Sequence, residues 1–275
     1  MSTIYFSYLP DYLDTQEELF DACKDGDVDR VKEILEWNPD IDVNWRRYDD
    51  GWNGWTSLHI ACDNSNLAVV SVLLAHPDID VNSTNRFGWT PFLLACYKGR
   101  TPCVRLLLKD PRVRVNAPND DGCTPLWEAA CQGHLDIVKW WVASGREMDL
   151  GEPGNKETDA ISIARHKEET EVATLLERFK ENPKETRHAV RGELAWYDPA
   201  AAEIFALVIF LADDLLRLRR MKSRGVRQAK KFFKIALQLP LELQMALCYR
   251  VIGSAKEIIP WQTSEVSFKT LSTKL

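Results

Sequence analysis

The sequence predicts an all-α solenoid, a stack of helical repeats with hairpin loops, followed by a small C-terminal helical domain. A block that begins Gly-x-Thr recurs three times, and its threonines, Thr56, Thr90 and Thr124, are 34 residues apart. An apolar run at helical spacing follows each block, as at residues 104–108. Because one such unit cannot bury its apolar face alone, neighbouring units must stack, and a solenoid results.

Each block carries the residues expected at the start and end of a short helix. The threonines can accept an orphan backbone N–H at the N-cap, and Pro91 and Pro125 follow at the first helical position. Gly99 stands where that helix should end, a place that favours the left-handed conformation. A second helix then carries the apolar stripe, and a strand-like tripeptide, at 80–82 or 114–116, closes the unit. We therefore expect a helix–turn–helix unit with a projecting hairpin loop.

The blocks at residues 54–62, 88–96 and 122–130 resemble the ankyrin repeat, whose signature is Gly-x-Thr-Pro-Leu-His-x-Ala-Ala. Two degenerate copies flank them, with the polar outer faces that terminal repeats need. The resemblance implies an array at 1–183, and apolar residues at helical spacing beyond it predict a small helical domain at 184–275. Within the array it implies about five repeats, at about 15–49, 50–84, 85–118, 119–153 and 154–183.

The resemblance also implies that a protein partner binds to the hairpin tips and to the exposed side of each first helix. The first and second repeats are more than 34 residues apart, and the extra residues fall at 45–53, in a loop that is often the binding edge. Trp, Tyr and Arg dominate interface hot spots, and an exposed aromatic strip needs a partner or a cover. The alternative is that Trp55 and Trp89 pack on their own hairpins. The predicted partner-binding residues are Trp45, Arg46, Tyr48, Trp52, Asn53, Trp55, Asp63, Arg86, Phe87, Trp89, Tyr97, Lys98, Asp120 and Asp121.

Charge is distributed unevenly along the chain. Residues 1–183 hold 19 Lys and Arg against 32 Asp and Glu, whereas residues 184–275 hold 16 against 9. A basic cluster at 217–234 could neutralise phosphates or anionic lipid, pair with the acidic array, or form a solvated helical face. Its members in a candidate second interface are Arg217, Arg220, Arg224, Lys230 and Lys231. The net charge of −6 disfavours nucleic acid or a membrane surface as the partner.

The segment from Leu239 to Val251 resembles the opening of an F-box, with Leu-Pro-x-Glu-Leu followed by apolar residues at a spacing of four. Its members in the candidate second interface are Leu239, Pro240, Leu243 and Leu247. This resemblance implies a component of a ubiquitin-ligase core as partner and a substrate-adaptor function. The alternative is an unassigned helical domain that packs on the last repeat, because Pro and Glu in a first turn are ordinary helix-start residues.

The sequence contains no pattern that indicates catalysis, a cofactor or a metal site. Its seven cysteines include no CxxC pair and its five histidines are spread along the chain. An odd number of cysteines without a framework favours a reducing compartment. We expect no signal peptide, and the longest apolar run, 204–212, is too short to cross a bilayer. The sequence thus predicts a non-catalytic adaptor or scaffold in the cytoplasm or nucleus, which binds an unidentified protein and no small-molecule substrate.

Overall fold

The computed structural model describes residues 9–49, 51–150 and 158–194, and its regular elements are helices. The chain divides into two compact units, Met1–Arg187 and His188–Leu275. The predicted all-α fold is confirmed. In chain order the helices are α1 (Leu9–Asp25), α2 (Val28–Trp37), α3 (Ser57–Asp63), α4 (Leu67–Ala75), α5 (Pro91–Tyr97), α6 (Thr101–Lys109), α7 (Pro125–Cys131), α8 (Leu135–Ser144), α9 (Ala160–His166), α10 (Thr170–Glu181) and α11 (Pro183–Glu193).

Helices of the first unit pack in two rows, one for each half of the repeating pair. In the first row, α1, α3, α5, α7 and α9 each contact the next member, and α2, α4, α6, α8 and α10 do the same in the second row. Each first-row helix also packs on the second-row helix that follows it. Side chains such as Leu58, Leu107 and Leu126 are fully buried in this arrangement. Each repeat therefore buries the apolar face of its neighbours, as a solenoid requires.

The ends of the array differ in detail from the predicted limits. Helix α1 already begins at Leu9, ahead of the predicted start of the first repeat at about residue 15. At the other end α10 finishes at Glu181 and α11 begins at Pro183. The predicted boundary between array and C-terminal domain, at 183/184, falls after the first residue of α11, just past the break at Asn182, and the domain division remains a prediction.

The predicted threonines stand at the N-caps of α3, α5 and α7. Thr90 and Thr124 accept a hydrogen bond from the N–H of the third helical residue, at 3.1 and 3.3 Å, and proline follows each of them. Asp159 accepts the same bond in the fifth repeat. At Thr56 the hydroxyl and the backbone N–H both bond to the ring of His59. These bonds satisfy donors that the helix itself cannot satisfy.

The tripeptides predicted to be strand-like, 80–82 and 114–116, are turns, so that prediction was wrong. Within the described residues the β pairing is a single antiparallel bridge between Arg47 and Trp55. The physical reason lies in Asn82, which donates to one backbone carbonyl of the next repeat and accepts from one of its N–H groups, at 2.9 and 2.7 Å. A side chain thereby takes the place of a partner strand.

Two series of side chains, each spaced by about one repeat, hydrogen-bond the backbone of a neighbouring repeat. The forward series bonds the repeat that follows, and its members are Asn44, Asn82 and Asn116. The backward series donates to carbonyls of the repeat before, and its members are Asn66, Arg100 and His134. Because these bonds satisfy loop backbone groups that no helix or sheet pairs, they fix how one repeat sits on the next.

His59 joins the second and third repeats through a neutral ring. Its Nδ1 accepts from the N–H of Thr56 at 3.2 Å, and its Nε2 donates to the carbonyl of Trp89 at 2.9 Å. The ring is fully buried, and this burial lowers the pKa of His59 to about 4. The imidazole in the unfolded chain keeps its ordinary pKa of about 6.5. The folded chain therefore binds fewer protons than the unfolded chain between these two values.

This difference predicts a specific loss of stability in acid. As the pH falls below the unfolded-state pKa of His59, the unfolded chain takes up a proton that the folded chain refuses, so folding weakens. Between pH 7 and pH 5 we expect the wild type to lose about 2 kcal/mol more than His59→Leu, which carries the residue found at the equivalent position 93. Urea unfolding of both proteins at each pH measures this. Parallel pH dependences would contradict the assignment of a buried neutral histidine.

Candidate partner-binding surface

Trp52 and Trp55 lie together beside α1. The Trp52 ring packs edge-on against Phe20 and against Trp55, with centroids 5.2 and 5.5 Å apart. Phe20 is fully buried, and the ammonium of Lys24 lies 5.7 Å from the centre of the Trp52 ring. Both indoles are half-buried. One side of each ring is thus covered by neighbouring side chains of the same chain, while the rest of the ring faces solvent.

A second aromatic pair belongs to the third repeat. Trp89 and Tyr97 meet edge to face with centroids 5.1 Å apart, and the ammonium of Lys98 lies 5.7 Å from the centre of the Tyr97 ring. Lys98 also stands 3.9 Å from Oδ1 of Asp63, close enough for an ion pair but too far for a hydrogen bond. That oxygen is shielded from solvent and accepts no hydrogen bond. The pair thus leaves Asp63 with an unused acceptor.

The loop tips carry the most exposed rings of the predicted surface. Tyr48 and Phe87 are 53% and 54% exposed. The guanidinium of Arg86 lies 5.1 Å from the centre of the Tyr48 ring, and the Arg86 N–H donates to the carbonyl of Asn53 at 2.9 Å. The tip of the third repeat therefore contacts the insertion at 45–53. We call Tyr48, Trp52, Trp55, Phe87, Trp89 and Tyr97 the aromatic strip.

The remaining predicted residues lie at the two ends of this surface. Trp45 is half-buried and Arg46 is exposed in the insertion. Asp120 and Asp121 are exposed at the tip of the fourth repeat, where the Asp120 N–H donates to the carbonyl of Phe87 at 3.1 Å. Backbone hydrogen bonds thus connect the tips of the second, third and fourth repeats into one edge.

Arg47, which is not among the predicted partner-binding residues, organises the insertion at 45–53. Its side chain is only 11% exposed and pairs with Asp21 at 2.9 Å and Asp49 at 2.8 Å, while its guanidinium lies 5.2 Å from the centre of the Phe20 ring. The hydrogen bond from Arg47 lowers the pKa of Asp49. Asp49 is two residues away and could have been noticed in the sequence. Asp21 belongs to the preceding repeat, and only the stacking brings it within reach.

Two buried thiols, those of Cys23 and Cys96, are suited to packing rather than to chemistry. All six described cysteines are free. Burial raises the pKa of Cys23 to about 12 and also raises the pKa of Cys96, which disfavours the reactive thiolate. In the described part of the chain no group of three or more His, Cys, Asp or Glu could hold a metal ion. No helix there is long and apolar enough to span a membrane.

Comparison with known families identifies the class of the chain. A model of ankyrin repeats, in three copies, matches residues 13–85 and 77–152, about half of the chain. The chain belongs to the ankyrin-repeat family, so the resemblance seen in its repeated blocks is confirmed. Ankyrin repeats form a protein–protein interaction module. No curated protein matches the chain significantly.

The candidate second interface lies outside the described residues. Both the basic cluster at 217–234 and the F-box-like segment at 239–251 belong to the unit His188–Leu275, of which the structure describes residues 188–194. A ligase-core component and an anionic surface therefore stay predictions as partners of this part of the chain.

Proposed function

We propose that the chain is a non-catalytic adaptor or scaffold that holds a protein partner on the aromatic strip, in a reducing compartment such as the cytoplasm. The observation that carries the proposal is the exposure of Tyr48 and Phe87, each more than half open to solvent at adjoining loop tips. Exposed neighbouring rings beside Arg86 have the composition of an interface hot spot, and a partner that covers them removes apolar surface from water.

The strip is also held in place before any partner arrives. The tips are joined by hydrogen bonds from Arg86 to Asn53 and from Asp120 to Phe87. Half of each tryptophan ring is fixed by packing, as at Trp52 on the buried Phe20. Side chains that are ordered in the free protein lose little entropy on binding. This preorganisation supports a binding function for the surface.

Removal of the exposed rings of Tyr48 and Phe87 should strongly reduce the amount of partner that the chain captures. We expect Tyr48→Ala/Phe87→Ala to recover at least about tenfold less of each specific partner than the wild type, because truncating a hot-spot aromatic costs about 2 kcal/mol. The measurement is quantitative affinity capture from a cell lysate with the full chain as bait. Trp37→Ala is the matched control, since Trp37 is 74% exposed at the end of α2, outside the strip.

Tyr48 and Phe87 are the positions to substitute because Trp52 and Trp89 pack against other side chains of the array. Truncation of either tryptophan would also destabilise the fold. The control is the midpoint of urea unfolding. If it is equal for the wild type, Tyr48→Ala/Phe87→Ala and Trp37→Ala, the substitutions change binding and not stability. A set of captured proteins that is unchanged by the double substitution, or is lost equally with Trp37→Ala, would remove the strip as the binding surface.

A further inference from the structure

We infer that the partner segment held by the aromatic strip is acidic, a peptide of net negative charge that also carries apolar side chains. This inference rests on the proposed function and names the chemistry of its partner. It starts from three cations beside the strip, Lys24, Arg46 and Arg86, which are exposed. Within the described residues these three cations form no ion pair.

Two of the three cations stand over rings of the strip, and the third, Arg46, lies in the insertion that carries Tyr48 and Trp52. Lys24 stands over the ring of Trp52, and Arg86 stands over the ring of Tyr48. Arg46 directly precedes the residue whose backbone pairs with Trp55. Cations placed on aromatic faces keep their charge available while the ring limits where the side chain can move. A carboxylate that approaches the strip therefore meets preorganised positive groups.

Among the described residues, the carboxylates that form ion pairs around the strip are fewer than the cations there. The cations around the strip are Lys24, Arg46, Arg47, Arg86 and Lys98, and the carboxylates that pair with them are Asp21, Asp49 and Asp63. Arg47 and Lys98 take up all three carboxylates. Among the described residues this leaves Lys24, Arg46 and Arg86 as unpaired cations beside the strip, although residues 1–183 as a whole hold 19 basic against 32 acidic residues.

The contrast with the rest of the array sets the partner's charge. A basic segment would be attracted to most of the acidic array and repelled at the strip, whereas an acidic segment is attracted to the strip alone, and such complementarity selects partner and register. The exposed pair Asp120 and Asp121 limits the acidic segment to the first three repeats. Apolar side chains in the same peptide are needed to cover Tyr48 and Phe87.

The test selects peptides without prior choice of sequence. A phage-displayed library of random 16-residue peptides is selected on the full chain, and enriched peptides are synthesised and titrated by fluorescence anisotropy. We expect net negative peptides with aromatic or aliphatic residues. Lys24→Glu/Arg46→Glu/Arg86→Glu should weaken their binding about 30-fold or more. The wild-type affinity should fall with salt, because salt screens exposed charges.

A matched variant controls for net charge. Lys32→Glu/Lys109→Glu/Arg114→Glu changes the charge of the chain equally, at exposed positions on the second-row helices and the loop after α6. It should change peptide affinity less than about threefold, since charges farther apart than about 10 Å are largely screened at ordinary salt. An equal loss in both variants would show an effect of total charge and would overturn the inference.

Other outcomes separate this inference from the proposed function. The inference of an acidic partner is overturned if the enriched peptides are neutral or basic. It is also overturned if they bind Lys24→Glu/Arg46→Glu/Arg86→Glu as tightly as the wild type. If those peptides still lose affinity for Tyr48→Ala/Phe87→Ala, the strip remains the binding surface. Peptides that are insensitive to both sets of substitutions overturn both proposals. A selection that enriches nothing, or a 16-nucleotide single-stranded RNA that binds the strip more tightly than any selected peptide, also overturns the acidic peptide.

Discussion

Replacement of Trp141 by Ala should cost the folded protein about 4 kcal/mol, whereas the same change at the neighbouring Trp140 should cost about 1 kcal/mol. Trp141 is fully buried in α8. Its ring meets Phe92 of the preceding repeat edge-on, with centroids 5.2 Å apart, and its Nε1 donates to the carbonyl of Glu147 at 3.1 Å. Truncation therefore leaves a large cavity between two repeats and an unpaired carbonyl.

Trp140 is the internal control for this prediction. It is half-buried, and the guanidinium of Arg105 lies 3.8 Å from the centre of its ring. Its removal loses this cation–π contact, which is worth about 1 kcal/mol at a partly exposed site, and leaves no cavity in the core. Equilibrium urea unfolding followed by circular dichroism compares the two variants with the wild type. Equal losses, or a larger loss at Trp140, would contradict the placement of Trp141 in the core.

Substitution of Gly88 by Ala should destabilise the array by about 3 kcal/mol. Gly88 has a φ of +71°, a conformation that costs an L-residue about 1–2 kcal/mol. A Cβ at this position would stand 2.7 Å from the backbone nitrogen of Asp120 and 2.5 Å from its Oδ1. Because a backbone atom cannot move aside cheaply, the tip of the fourth repeat would have to shift away from the third.

Gly51→Ala separates the conformational cost of a positive φ from the cost of a steric clash. Gly51 has a similar φ of +85°, but a Cβ there would meet no atom within 4 Å, so only the conformational cost of about 1–2 kcal/mol remains. Urea unfolding of both variants gives the difference between them, which measures the close contact of the two tips. If both glycines prove equally tolerant of Ala, the third and fourth repeats do not approach as closely as the structure shows.

Periodic features of the array could be read directly from the sequence. Thr90 and Thr124 cap their helices as predicted, and the helices of each repeat form the expected pair because both signals are local. The strand-like segments failed for a different reason. Their apolar and polar residues alternate as in a strand, but the backbone groups are bonded by Asn82 from the preceding repeat, a contact that depends on stacking.

The sequence predicts which residues belong to the candidate binding surface, but it does not predict their geometry. Aromatic residues in the insertion and at the repeat tips indicated where a partner would bind. The sequence does not show that Trp52 rests on Phe20, or that Arg47 is enclosed by Asp21 and Asp49. These contacts join residues from different repeats, so they depend on the distance between helices rather than on the spacing along the chain. The exposure of Phe87 likewise emerges only from the folded tip.

The forward series of asparagines has a consequence for how this chain can change during evolution. Since Asn44, Asn82 and Asn116 make the same type of bond at successive junctions, a complete module can be duplicated or deleted while every junction keeps its donor and acceptor. Gain or loss of a partial module would leave hydrogen-bonding groups at a junction without partners. Array length is therefore free to vary in whole modules, whereas the irregular insertion at 45–53, which has no counterpart elsewhere in the array, cannot be regenerated by duplication of a central repeat.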